Sequence, residues 1–314
     1  MTTSRRQFLA GSIVALAAAS FLPRGAVAQK TSTRIILLGT KGGPTVGTSG
    51  RSNTSTLLLI NNEAYVVDCG YGVTRQLLSA KIALDRIRYI FITHHHSDHD
   101  LEYGPLMYNA WVAGNRPINI DAYGPTGLKQ MTRDFFHYEK IDIETRIKDE
   151  GPSDLRKRVR VHDFHREGLV LRNDSVTVTS CKVNHPLIGE AYAYRFDAKD
   201  RSVVISGDTA YFPKLAEFAK GADVLIHEAL YLPAVDAIAK ASPDPDRLRK
   251  HLLASHTSTE DVGKIAAQAG VKTLVLSHLV PGVASTVITD EMWTEGVQKN
   301  FSGKVIVGKD LLEI

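Results

Sequence analysis

The stretch Arg88-Tyr89-Ile90-Phe91-Ile92-Thr93 runs straight into His94-His95-His96-Ser97-Asp98-His99. Its first half is rich in β-branched and aromatic residues, the make-up of a buried strand. Four histidines and an aspartate at the end of such a strand would each need partners for their ring nitrogens if they were simply buried. A solvated loop would satisfy them, but gives no reason for a β-rich strand to deliver them there. A metal ion supplies the missing partner. In extended chain His94 and His96 point to one side because side chains alternate, and His95 points to the other. Asp98 and His99 fall on the turn that follows, within reach of a second, nearby ion. Imidazole nitrogens with a carboxylate and no thiolate suit zinc.

Outward from this stretch, short apolar runs recur at Arg34–Leu38, Thr56–Ile60, Ala64–Asp68 and Ile118–Tyr123. They return at Ser175–Val183, Tyr192–Phe196, Ser202–Ser206, Asp223–His227, Lys272–Ser277 and Lys304–Val307. Helical patterns fall at Gly72–Lys81, Leu101–Ala113, Pro125–Phe136, Pro213–Lys220, Thr259–Ala269 and Asp290–Asn300. Ser258 before Thr259-Glu260-Asp261 reads as a helix start, and Gly270 as its stop. Hairpins mixed with strand–helix units, in two halves of similar make-up, predict an α/β protein with two sheets packed between outer helices. Tyr192 and Tyr194, alternating in a strand, read as packing. The loop Gly39-Thr40-Lys41-Gly42-Gly43-Pro44 lacks the order of a phosphate loop and reads as a tight turn near the site. The polar stretch Glu139–Glu167 carries eight acids against eight bases, a balance that reads as a solvated face or site rim.

The N-terminus reads as an export signal. Arg5-Arg6 precedes an apolar run from Ala10 to Leu22 and the small-residue sequence Ala26-Val27-Ala28. The paired arginines before Phe8-Leu9 resemble a twin-arginine signal, which implies a periplasmic or secreted bacterial protein. Residues 1–28 are expected to be removed, leaving 29–314 as one domain with no membrane contact. The formal charge is +4, from 38 Lys and Arg against 34 Asp and Glu. Without Arg5, Arg6 and Arg24 it is +1, which gives no bulk attraction for nucleic acid. Cys69 and Cys181 sit in or beside apolar runs and read as buried free thiols.

The H-x-H-x-D-H order of His94, His96, Asp98 and His99 resembles the signature of the metallo-β-lactamase-fold hydrolases. Later residues match the family in order, each just past an apolar run: His185, Asp208 and His278, with Asp68 at the place of a structural aspartate. The resemblance implies a four-layer αβ/βα sandwich of two mixed sheets. It also implies one zinc held by His94, His96 and His185, and another by Asp98, His99 and His278, with Asp208 between them. Manganese or iron are the alternative metals. Such a pair, about 3.5–4 Å apart, activates a bridging hydroxide, which Asp98 would orient.

Zinc β-lactamases lack the bridging aspartate and flavodiiron proteins carry a glutamate where His96 stands, so both branches are set aside. Leu225-Ile226-His227-Glu228-Ala229 and His256-Thr257-Ser258-Thr259 are similar to matching segments of ribonuclease Z and periplasmic arylsulfatases. The resemblance makes His256 the proton donor to the leaving oxygen, with Glu228 holding its ring. Ribonuclease Z carries an RNA-gripping arm after the third histidine, for which Pro186–Gly207 leaves little room. The expectation is therefore an exported hydrolase of a small-molecule ester, an arylsulfate or phosphodiester, with no nucleic-acid partner and with a homodimer as an open state. A lactonase and a silent metal-binding protein are the alternatives.

Overall fold

The computed structural model describes residues 32–46, 50–113, 117–186, 188–282 and 288–314. The chain divides into two units, Met1–Lys30 and Thr31–Ile314. The expected signal and its cleavage after Ala28 lie outside the described residues. Among the described residues, no helix is long and apolar enough to cross a membrane.

Six strands form the first sheet in sequence order: β1 (Arg34–Gly39), β2 (Ser55–Ile60), β3 (Glu63–Val67), β4 (Ile87–Phe91), β5 (Ile120–Pro125) and β6 (Val159–Phe164). β1 to β3 are antiparallel, and β3 to β6 run parallel. The second sheet has seven, in the order β13-β12-β11-β10-β9-β8-β7. These are β7 (Gly168–Arg172), β8 (Val176–Lys182), β9 (Tyr192–Ala198), β10 (Ser202–Ile205), β11 (Val224–Leu230), β12 (Thr273–Val280) and β13 (Lys304–Val307). Here β7 to β10 are antiparallel and β10 to β13 parallel, so the two sheets share one plan.

Helices α1 (Val73–Ser79), α2 (Ser97–Asp100), α3 (Tyr103–Ala113), α4 (Leu128–Tyr138) and α5 (Lys140–Asp149) belong to the first half. The second half carries α6 (Pro213–Phe218), α7 (Val235–Lys240), α8 (Pro245–Ser255), α9 (Thr259–Ala269) and α10 (Asp290–Gln298). Alternation within the strands builds the layers. Ile35 and Leu37 of β1 face the second sheet, with Tyr65, Phe91, Tyr194, Phe196 and Ile226. Ile36 and Leu38 face the opposite way, toward Leu77 of α1 and Leu106 of α3. Leu225 and Leu274 likewise turn outward onto Ile265 of α9 and Trp293 of α10. Strands covered on both faces read as unbroken apolar runs, which is why RIILLG and STLLLI show no alternation. The four layers are those expected.

Cys69 and Cys181 are buried free thiols. Tyr192 and Tyr194 are buried, the latter donating from its hydroxyl to the Ile92 carbonyl at 2.8 Å. Ser258 caps α9 by accepting from the Asp261 N–H, and Gly270 closes it at φ 62°. The polar stretch is more ordered than a solvated excursion, since it holds α5 and the edge strand β6. Its charges pair among themselves or with the adjoining strand, as in Arg146 with Asp142 and Glu150, Arg156 with Glu144, and Arg160 with Asp121. β7 and α8 were not legible either, being short or polar.

Candidate metal centre

The strand β4 ends at Phe91, and its continuation places His94 and His96 at the mouth between the sheets. The single turn α2 then presents Asp98 and His99. His94 Nε2 and His185 Nε2 each lie 3.1 Å from His96 Nδ1. Two nitrogens bonded to one tetrahedral zinc at about 2.0–2.1 Å are about 3.3 Å apart, so three ring nitrogens converge at ligand spacing. Burial holds His94 well below the ordinary imidazole range, helped by His99. It likewise lowers His185 to about 4 against the pull of Asp208. These rings are neutral at pH 7, with lone pairs free for a cation.

A second group adjoins the first. His278 Nε2 is 3.2 Å from Asp98 Oδ2, and His99 Nε2 is 3.8 Å from the same oxygen. Asp208 reaches both groups. It lies 3.3 Å from His99 Nε2, 3.2 Å from His278 Nε2 and 3.8 Å from His94 Nε2. Burial disfavours its charge, but His278, His99 and His94 outweigh burial and hold it well below the carboxylate range. Buried His99 Nε2 and Asp208 Oδ1 have no hydrogen-bond partner among the described residues. Such orphans are costly unless something else occupies the space between them. The donor set thus fits a divalent cation, and metal binding follows from these His and Asp clusters.

The surrounding backbone is shaped to serve the cluster. Asp68, at φ 62°, accepts from the Thr93 N–H at 2.8 Å and binds His99 Nδ1 at 2.8 Å, fixing that ring. His278 is the extra residue of a bulge where β12 meets β11, at φ 43°. A bulge re-aims one side chain out of the ladder, here into the site. Gly207 takes φ 59° directly before Asp208, where a Cβ would lie 2.9 Å from the Tyr192 carbonyl. His95 turns away and pairs with Asp100 at 3.0 Å.

Glu228 and His256 stand beside the cluster as paired groups. His256 Nδ1 is 3.4 Å from Glu228 Oε2 and 3.9 Å from Asp208 Oδ2. Glu228 is itself locked by the Thr257 N–H at 2.8 Å. Burial works against the His256 imidazolium, but Glu228, Asp208 and Asp98 outweigh it and raise its pKa to about 9. The ring does not cap α9, a task that falls to Ser258. His227 is buried with Nδ1 on the Glu228 carbonyl, a structural position.

Sequence reasoning missed three contributors. The Gly43 N–H donates to Asp98 Oδ2 at 2.8 Å, so the glycine loop holds that carboxylate. Lys41 is buried with Nζ 2.8 Å from the Gly43 carbonyl, fixing the loop. A cleft of about 160 Å³ above the cluster is lined by Gly43, His96, Asp98, His256, His278 and also His251 of α8. A lysine amid glycines and a histidine in a polar helix carried no spacing signal.

A family model for the beta-lactamase superfamily domain matches residues 64–279. A protein named ribonuclease Z from Mycobacterium sp. (strain KMS) is 30% identical over 88% of this chain and 94% of its own length. A ribonuclease Z from Mycobacterium avium is 29% identical over 88% of this chain and 96% of its own. Among solved structures, the metallo-beta-lactamase fold protein YhfI from Bacillus subtilis has a TM-score of 0.65 at 21% identity, covering 90% of this chain and 98% of that one. The short form of human tRNase Z has the same TM-score at 20% identity, with the same coverage. At these identities the two structures show the fold alone.

These names overturn two expectations. Relatives named ribonuclease Z conflict with an arylsulfate, small-ester or lactone hydrolase and with a silent metal-binding protein. They conflict equally with the absence of a nucleic-acid partner. The Mycobacterium avium protein aligns over 96% of its length with 88% of this chain, so the short Pro186–Gly207 segment does not separate the two. A net charge near zero is a bulk count, whereas a polyanion is held by local clusters of cations.

Proposed function

The chain belongs to the beta-lactamase superfamily, in the branch of metal-dependent hydrolases that includes ribonuclease Z, and from that membership we propose that it hydrolyses phosphodiester bonds in RNA. The likeness to the Mycobacterium ribonuclease Z proteins over most of both chains carries this reading. We assign one cation to His94, His96 and His185 and a second to Asp98, His99 and His278, with Asp208 shared. Zinc is the first choice for this donor set and manganese or iron the alternatives. When bound, such a pair supplies Lewis-acid stabilisation of phosphoryl oxygens and acidifies water.

The chain's own residues do the rest. His99 and His278 overcome burial to hold Asp98 well below the carboxylate range, so its ionised Oδ2, fixed by the Gly43 N–H, orients the attacking water. His256, charged and backed by Glu228, donates a proton to the leaving ribose oxygen. The cleft walls formed by Gly43, Pro44 and His251 limit the water around the reacting phosphate. For residues 1–28, the Arg5-Arg6 pair, apolar run and Ala26-Val27-Ala28 support a twin-arginine-type signal, tested by fractionating cells that express the Arg5→Lys/Arg6→Lys chain.

The deciding experiment incubates the zinc-loaded protein with a precursor tRNA bearing a 3′ trailer, and in parallel with bis(p-nitrophenyl) phosphate. Cleavage of both, lost in Asp208→Ala, is expected. Turnover of the small diester with intact RNA would sink the assignment of RNA as substrate.

A further inference from the structure

Beside His185 a groove of about 750 Å³ lies between three segments: His165-Arg166-Glu167, Lys182-Val183-Asn184, and the start of α6 at Phe212 and Lys214. Two of these walls are continuous with the metal centre. Asn184 directly precedes His185, and its carbonyl accepts from the Ala210 N–H at 2.8 Å, two residues past Asp208. Extended chain spans at most about 3.3–3.6 Å per residue, so Lys182 lies within about 11 Å of His185. The groove therefore leads away from the cleaved bond rather than occupying a remote face.

Its charge is one-sided. Among the described residues Glu167 is the single acid of the lining, and it is engaged by Lys214 Nζ at 2.6 Å and by the Lys182 N–H at 3.0 Å. The Arg166 and Lys182 side chains are exposed and, among the described residues, pair with no acceptor. Phe212 is half-buried, packed against the core under α6 and α9, and contributes ring surface to the wall. Free cations tracking a groove with an aromatic surface are what single-stranded nucleic acid needs, phosphates meeting the charges and a base stacking on the ring.

We propose that this groove is the track for a single-stranded stretch of RNA flanking the scissile phosphodiester, with Arg166 and Lys182 on successive phosphates and Phe212 under a base. The proposal rests on RNA being the substrate. An acidic peptide would meet the same cations but has no base for Phe212.

The test uses the full chain, a fluorescent single-stranded RNA of about ten nucleotides, within the site size of such grooves, and binding read by anisotropy against salt. In Arg166→Glu/Lys182→Glu, the loss of two phosphate contacts lowers the slope of log K against log salt by about 1.4, at about 0.7 per contact for single strands. If the two salt lines meet near 1 M, that is roughly a 25-fold weaker complex at about 0.1 M salt. Hydrolysis of bis(p-nitrophenyl) phosphate, too small to reach the groove, stays at the wild-type rate. Unchanged RNA affinity and salt slope in the variant would overturn the groove while leaving RNA as substrate. A wild-type chain that neither binds nor cleaves RNA would remove the underlying reading instead. Displacement of the RNA by poly-glutamate at equal charge would overturn the proposal in favour of an acidic peptide.

Discussion

Replacing His256 by alanine separates proton donation from every other task of the centre. The ring turns Nδ1 toward Glu228 and Asp208, which leaves Nε2 as the atom available to a leaving group. With its pKa raised to about 9 by the protein's own groups, it carries a proton at pH 7. A positioned general acid is worth about 10²–10⁴ in rate, or about 3–5 kcal/mol of barrier. That loss is expected in full for RNA, whose leaving ribose alkoxide cannot depart unprotonated. It should nearly vanish for bis(p-nitrophenyl) phosphate, whose phenolate leaves without help. The assay is kcat/KM on both substrates, with bound metal counted by elemental analysis because His256 also lies near Asp208 and His278. Equal losses on both substrates with metal content unchanged would refute the proton-donor role. Lost metal would instead make His256 a ligand.

Other outcomes test the supporting structure. Asp68→Asn removes the charge that fixes His99 and should weaken metal binding by about 10–100-fold, read by competition with a chromophoric chelator; unchanged affinity would count against that role. Saturating metal at about 100 times its Kd should add about 2.7 kcal/mol of stability, a rise in Tm of roughly 5 °C over the chelator-treated protein. A Tm indifferent to metal would contradict the clustered donors. Asp223 is held at about 2 by Lys272 and Ser202, below its unfolded value of about 3.9. Its stabilisation is therefore complete above that value and fades as pH falls toward 2. The Tm difference between wild type and Asp223→Asn should shrink across that interval, and a constant difference would exclude the carboxylate as its source.

The fold was legible where burial on both faces of a strand left unbroken apolar runs, as in β1, β2 and β11. It was illegible where an element packs on one side only. β6, with Val159 and Val161 alternating with Arg160 and His162, passed for a solvated run because it lies inside a stretch of balanced charge. Of the centre, the histidines and aspartates could be read because strand ends deliver them in family order. The Gly43 N–H that holds Asp98 could not, since a backbone donor leaves no mark on residue type. Asp208 was read as bridging; its carboxylate lies 3.3 Å from His99 Nε2 and 3.2 Å from His278 Nε2. The substrate class was misjudged because charge was summed over the chain, whereas a polyanion is held by local clusters of cations.

The donors of the centre are contributed by both sheets. His94, His96, Asp98 and His99 follow β4, while His185, Asp208 and His278 come from β8, β10 and β12. Neither half alone owns a complete set. The link from β6 of the first sheet to β7 of the second runs through His165-Arg166-Glu167, and after β13 the C-terminal segment returns to the first sheet, where Glu313 bridges Ile36. A protein nicked between β6 and β7 would yield two fragments, neither of which carries the whole donor set. A cation held by this donor set would therefore link residues from both sheets, so its binding depends on the two halves being in place together.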